Sequence, residues 1–169
     1  MVLNKKLIDN WYVLYTFSKH EKKIATYLDQ AGIEFFLPLQ NIVKQWSDRK
    51  RQLTLPLFPN YLFVKTNASN FWKIRDINGV IRFVNDGRKP IPVSSNTIHS
   101  IQKVLKGNFR LEKFLLGQGE RVKVVEGPFA GVEGKFVRYK NKNMLVIEIE
   151  LVNSSVMLEI NPLQIKIIE

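Results

Sequence analysis

The sequence predicts an α+β protein: an N-terminal antiparallel sheet carrying helices, followed by a small C-terminal β-barrel. Three observations lead there. Up to about residue 106, aromatic and β-branched runs of strand length alternate with segments of helical periodicity. From residue 117 onward only short strands remain, separated by Gly, Asn and Ser turns. The charge divides at the same place. Residues 1–106 hold 17 basic and 7 acidic side chains, a net of +10, whereas residues 107–169 hold 9 and 8, a net of +1. The expected organisation is a domain over 1–106, a linker over 107–116 with little periodicity, and a barrel domain over 117–169.

Trp11–Phe17 (WYVLYTF) reads as a strand. Ser18 followed by Glu21 has the capping-box spacing, and Ile24, Ala25, Leu28 and Ala31 recur at helical intervals before Gly32. Ile33–Leu37 is extended and runs into Pro38. Asn41–Trp46 and Gln52–Leu57 flank the polar tip Ser47-Asp48-Arg49-Lys50-Arg51, which predicts a long hairpin. Asn60–Lys65 is a further strand. Asn67 or Ser69 caps a short helix through Ile77, and Val80–Val84 is again a strand. A third helix begins at Ser94 or Ser95, places Ile98, Ile101 and Leu105 on one face, and ends at Gly107. Beyond the linker, Arg121–Val125, Val132–Tyr139, Met144–Val152, Val156–Ile160 and Gln164–Ile168 are the strands of the expected barrel.

With 26 Lys and Arg against 15 Asp and Glu, the net charge is +11 and the isoelectric point about 9.9. Such a chain is drawn to polyanions, because neutralising phosphates releases their counterions. Cysteine is absent, which removes disulfides, thiol nucleophiles and thiolate metal sites and fits a cytoplasmic protein. No 18-residue apolar run offers a transmembrane helix, and the first ten residues lack the apolar core of a secretory signal. His20 and His99 have no companion at metal-ligand spacing. No phosphate-binding glycine loop, nucleophile elbow or carboxylate pair is present, so the sequence predicts no enzyme and no cofactor.

Three features carry the functional reading. Leu57–Val64 (LFPNYLFV) is apolar on both alternating faces, Tyr61 and Phe63 on one, Leu62 and Val64 on the other. One face packs on helices; the other is either covered within the domain or forms a groove for a partner, with Tyr15 as neighbour. Cations form the second feature: Lys19, Lys22, Lys23, Lys73, Arg75, Arg82, Arg88 and Lys89, with His20 in the first turn of the helix. Interleaved Phe71 and Trp72 are either core residues or platforms for unstacked bases. The third feature is Gly119-x-x-Val122-x-Val124-x-x-Gly127-Pro128-Phe129-x-Gly131-x-x-Gly134, whose Pro and glycines reverse the chain with Phe129 at the tip or tucked inward.

Trp11–Tyr15, the helix with Glu21-Lys22-Lys23, Pro56–Val64, Gly79–Val84 and the C-terminal glycine motif occur in the order found in NusG/RfaH transcription elongation factors. The motif resembles the KOW motif, and the resemblance spans roughly residues 10–168. It implies an NGN-like domain on the clamp helices of RNA polymerase, with Tyr15, Phe58, Pro59, Tyr61 and Phe63 at groove positions and Trp11 at either a groove or a core position. It also implies contact with the non-template DNA strand, or with nascent RNA, through the N-terminal cations. The near-neutral KOW domain would recruit a further protein through Gly127, Pro128, Phe129 and Gly131, either the ribosomal protein that doubles as NusE or the terminator Rho. A monomer away from membranes is expected. Asn60 stands where general NusG proteins usually carry Gly and looks like the RfaH and UpxY types, which antiterminate selected operons such as those for surface polysaccharides. The His-Thr-Thr stretch of RfaH is replaced by Asn70–Arg75 (NFWKIR), which leaves the DNA signal open. A housekeeping NusG, or an RNA-binding ribosome-associated KOW protein, are the alternative expectations. The β-branched C-terminal strands argue for a barrel rather than the helical hairpin of RfaH.

Overall fold

The computed structural model describes residues 8–46, 49–112 and 118–169. The chain forms two compact units, Met1–Val93 and Ser94–Glu169.

The first unit is an antiparallel sheet with helices. Strand β1 (Asn10–Thr16) is followed by helix α1 (Glu21–Gln30), β2 (Phe35–Phe36), β3 (Leu39–Gln45), β4 (Lys50–Pro56) and β5 (Tyr61–Thr66). A short helix α2 (Phe71–Arg75), β6 (Val80–Phe83) and β7 (Pro92–Val93) complete it. The sheet order is β2-β5-β1-β6, with β7 also paired to β1, while β3 and β4 form a separate two-stranded ribbon. Pairing of β1 with β5 sets Leu14 opposite Leu62 and Val13 opposite Phe63. Because side chains alternate across a strand, this register sorts two apolar sets. Leu14, Leu62 and Val64 pack with Ile24, Ala25 and Leu28 of α1 and with Ile74 and Phe83. Each such fully covered aliphatic side chain contributes about 1.5–3 kcal/mol.

The capping box read at Ser18 does not form. Lys19 takes a left-handed turn (φ 65°), and α1 starts at Glu21 with His20 as a cap that makes no side-chain cap bond. Glu21 is buried, and its carboxylate is committed to the backbone of the β4–β5 connection instead.

The second unit holds α3 (Ser95–Val104), β8 (Phe109–Glu112), β9 (Glu120–Val124), β10 (Glu133–Tyr139), β11 (Lys142–Ile149), β12 (Ser154–Glu159) and β13 (Ile165–Ile167). Ser94 caps α3 by accepting from the Thr97 N–H at 3.0 Å. The six strands pair in the order β13-β9-β10-β11-β12-β8. All of these pairings are antiparallel. The path has two ends, and among the described residues no ladder joins β13 to β8. Ile98, Ile101 and Val104 are buried on α3, which packs on β10, β11 and β12.

The contacts divide the two units between Val93 and Ser94. Part of the expected linker is strand: Phe109 pairs with Leu158 and Leu111 with Val156. A four-residue alternation is too short to register as periodicity, and its strand character comes from the partner it meets. Residues 113–116 of that segment, residue 117 after it, and Ser47 and Asp48 of the hairpin tip lie outside the described residues.

Gly134 of β10 lies against β11, where an added Cβ would stand 2.5 Å from the Val146 carbonyl oxygen. Gly134→Ala is expected to force the two strands apart and cost about 1–3 kcal/mol, read as a lowered urea midpoint with an unchanged m-value.

Candidate polymerase and nucleic-acid interface

The face of β1 and β5 turned away from α1 carries Trp11, Val13 and Tyr15 against Lys65, Phe63 and Tyr61 in direct register. Its middle is closed. Phe36 and Phe58 lie 5.8 Å and 6.1 Å from Phe63, centroid to centroid, and Trp11, Phe58 and Phe63 are all buried. Its end is open. Tyr15 and Tyr61 are half-buried, their rings 5.4 Å apart, and the exposed Arg82 guanidinium stands 5.7 Å from the Tyr15 ring. Pro59 is exposed beside them. Of the six positions read from sequence, three are thus interior and three face solvent or border it.

Asn60 shapes the turn that presents Tyr61. Its φ of 71° is left-handed, a conformation that suits Gly best and Asn next, because a Cβ otherwise crowds the following carbonyl. Three hydrogen bonds hold it. Its N–H donates to Glu21 Oε1 at 2.7 Å, its Nδ2 donates to the Thr16 carbonyl at 3.1 Å, and its own carbonyl accepts from the Thr16 N–H at 2.9 Å. The Asn60 side chain thus adds a tie to β1 that glycine could not make. Sequence reading singled out Asn60 but missed Glu21, whose spacing from Ser18 suggested a cap.

The nucleic-acid candidates divide. Lys19, Lys23, Lys73 and Arg75 are exposed. Lys22 is exposed as well, but its ammonium donates to the Thr54 carbonyl at 2.7 Å and braces the ribbon. His20 packs against Phe17 and over Gly79, where a Cβ would meet the imidazole at 2.8 Å. Phe71 is a core ring, 5.0 Å from Tyr12 and 4.7 Å from Phe83. Trp72, its neighbour, points outward at 57% exposure, with Lys73 Nζ 5.5 Å from its ring. A five-residue helix turns about 100° per residue, so adjacent aromatics take opposite fates. Asp86 organises the next cations: Oδ1 accepts from the Arg88 and Lys89 N–H groups at 2.9 and 3.0 Å. Those bonds, Lys89 first, hold the Asp86 carboxyl below the usual aspartate range. A depressed pKa means the turn keeps this stabilisation above the ordinary aspartate pKa and loses it only as pH falls through the lowered value.

In the second unit, Gly127 and Gly131 both have positive φ, 83° and 89°. Gly127, Pro128 and Gly131 are exposed, while Phe129 is half-buried. Its ring is tucked inward, since a Cβ on Gly107 would lie 2.5 Å from Phe129 Cζ, and Lys103 Nζ donates to the Ala130 carbonyl at 2.6 Å.

No three His, Asp or Glu side chains gather in a metal-binding arrangement among the described residues, and no described helix is long and apolar enough to cross a membrane. The chain is built from an NGN-like sheet with helices and a C-terminal β-rich module. Comparison with known proteins then gives the family. Residues 9–102 match the family model described as transcription termination factor nusG. The transcription termination/antitermination protein NusG of Pasteurella multocida (strain Pm70) is 30% identical over 139 residues, 73% of this chain and 75% of that protein. The protein of the same name from Helicobacter pylori (strain ATCC 700392 / 26695) is 29% identical over 143 residues, 77% of this chain and 81% of that one. A solved structure titled "Domain interaction in Thermotoga maritima NusG" covers 95% of this chain and 98% of its own at a TM-score of 0.50 and 21% identity, a likeness of fold. The chain belongs to the NusG family of transcription factors.

Removing Glu21 leaves the half-buried Asn60 N–H without its partner, a loss of about 1–3 kcal/mol at most. Glu21→Ala should destabilise to that extent in thermal or urea unfolding, and Glu21→Gln, which keeps an acceptor, should recover most of it. Asn60→Gly should be tolerated better than Asn60→Ala, which keeps a Cβ in left-handed backbone, at about 1–2 kcal/mol, while losing the Nδ2 bond to the Thr16 carbonyl.

Proposed function

We propose that this protein is an elongation and antitermination factor. It binds the clamp helices of RNA polymerase through the open end of the β1–β5 face and contacts the non-template DNA strand. The observation that carries this reading is the half-buried Tyr15–Tyr61 pair, its rings tilted by 47° with centroids 5.4 Å apart, at the end of a face otherwise sealed by Phe36, Phe58 and Phe63. Rigid aromatics held at their base and open at their tip are the residue type that anchors a partner helix. Membership of the NusG family supports the choice of partner. Lys19, Lys23, Trp72, Lys73, Arg75 and Arg82 supply phosphate attraction and one exposed ring for an unstacked base of DNA or nascent RNA. By holding polymerase and strand together the protein suppresses pausing or termination without performing chemistry.

The exposed rim of the β9–β10 loop, Gly127, Pro128 and Gly131, is the surface for a further protein, the NusE-type ribosomal protein or Rho, with Phe129 as its buried prop. A cytoplasmic monomer follows from the same reading. Asn60 favours an operon-selective role of the RfaH or UpxY kind, because its extra bond to the Thr16 carbonyl is one that glycine cannot make. The 28–30% identity to proteins named transcription termination/antitermination protein NusG favours a general role. A ribosome-bound KOW protein fits less well, since the excess charge lies on residues 1–106 rather than on the β-rich module.

Single-round transcription with the cognate polymerase tests the proposal. Wild type should shorten pauses or raise readthrough, and Tyr61→Ala should lose most of that effect while unfolding at nearly the same temperature. Absence of any wild-type effect, on templates that include the leader of its own operon, would refute the elongation reading.

A further inference from the structure

An acidic cleft of about 270 Å³ opens in the first unit where β1 begins, α1 ends and β5 runs on toward α2. Asp9, Glu34, Thr66, Asn67 and Asn70 line it, with Gly32 and Lys65. Its three charged side chains sum to −1, in a unit whose 15 basic and 7 acidic side chains give +8. The β1–β5 register, with Asn10 opposite Thr66, brings Asp9 to the end of β5. Each carboxylate is half engaged. Asp9 Oδ1 accepts from Asn67 Nδ2 at 2.6 Å and Glu34 Oε2 from Lys65 Nζ at 2.9 Å. Asp9 Oδ2 and Glu34 Oε1 have no donor among the described residues. Lys65 reaches Glu34 from the other face of β5, where its ammonium stands 5.9 Å from the Trp11 ring. Thr66 is only 2% exposed, yet its Oγ1 has no hydrogen-bond partner among the described residues. Interiors rarely leave a buried hydroxyl unmatched, because its desolvation is then uncompensated. Strand alternation turns Thr66 to the α1 side of the sheet with Leu62 and Val64, the side on which α1 gives way to Gly32 and the cleft.

We infer that this cleft binds a primary ammonium group, with Asp9 Oδ2, Glu34 Oε1 and Thr66 Oγ1 as its acceptors. Count and charge select the ligand. An ammonium brings three N–H donors, no acceptor and one positive charge. The cleft offers three unclaimed side-chain oxygens and one uncompensated negative charge. A guanidinium is a planar fork best met by both oxygens of one carboxylate, whereas each carboxylate here has one oxygen left. Calcium takes about 6–8 oxygens, more than the unclaimed side chains supply. The ammonium can end a free alkyl diamine or a lysine side chain of another protein; the chemistry of the site is the same. Asp9, Glu34 and Thr66 are separate from the residues assigned to polymerase and DNA, so the test needs neither.

The full chain, labelled with nitrogen-15, is titrated with putrescine at low ionic strength and followed by its amide resonances. Saturable shifts are expected at Ile33, Glu34, Thr66 and Asn67, and they should weaken as salt is added. Thr66→Val should loosen binding about fivefold, and Glu34→Gln or Asp9→Asn about tenfold, the losses of one neutral and one charge-assisted hydrogen bond. The melting temperature of Thr66→Val should hold or rise, since an unmatched hydroxyl is removed. Nα-acetyl-lysine methylamide, run in parallel, separates the sources. Its tighter binding assigns the site to a partner's lysine, and tighter binding of putrescine assigns it to a free diamine; either supports the inference. Absence of saturable shifts with putrescine would overturn it. So would an equal response to tetramethylammonium, which carries the charge without an N–H, or unchanged affinity in both Thr66→Val and Asp9→Asn.

Discussion

The N-terminal unit depends on the antiparallel pairing of β1 with β5, because these two strands are apolar on both faces and neither face is stable in water. The register that sets Leu14 against Leu62 also sets Val13 against Phe63 and Tyr15 against Tyr61. A slip of one residue would exchange the two sets, sending the tyrosines into the helix-packed core. The core and the candidate interface are therefore two sides of one pairing. Phe36 and Phe58 close most of the second side, which leaves the tyrosine pair as its accessible end.

That end is held by a small polar device. Thr16, Asn60 and Glu21 come from β1, the β4–β5 turn and the start of α1, and their hydrogen bonds join all three. The left-handed backbone at Asn60 makes the turn tight, and the buried Glu21 carboxylate satisfies the N–H that the turn leaves unpaired. A cap for α1 is given up in exchange: Glu21 serves the turn, not Ser18. The stability of the turn and the geometry offered to a partner are in this way the same property.

The excess charge is unevenly divided between the units. Met1–Val93 carries 15 basic and 7 acidic side chains, a net of +8, and Ser94–Glu169 carries 11 and 8, a net of +3. Long-range attraction to a polyanion accordingly comes mainly from the first unit. The β-rich unit is suited to a contact governed by shape, with Gly127 and Gly131 bending the loop and Phe129 packed beneath it.

Most strands and helices were legible in the sequence, because hydrophobic period, turn residues and caps act over a few residues. WYVLYTF, the α3 periodicity behind Ser94 and the alternating C-terminal runs all became the elements their patterns predict. The family was legible too, from motifs in order along the chain. What the sequence left open was decided by partners distant in the chain. Phe71 and Trp72 look alike in sequence, yet Tyr12 and Phe83 claim one ring and leave the other in water. Glu21 reads as a cap until Asn60, 39 residues away, takes its carboxylate. Phe109–Glu112 reads as linker until β12 supplies a ladder. Local propensity determines which element a segment forms; which of its side chains remain available for function depends on tertiary packing, because burial is a property of the neighbour as much as of the residue.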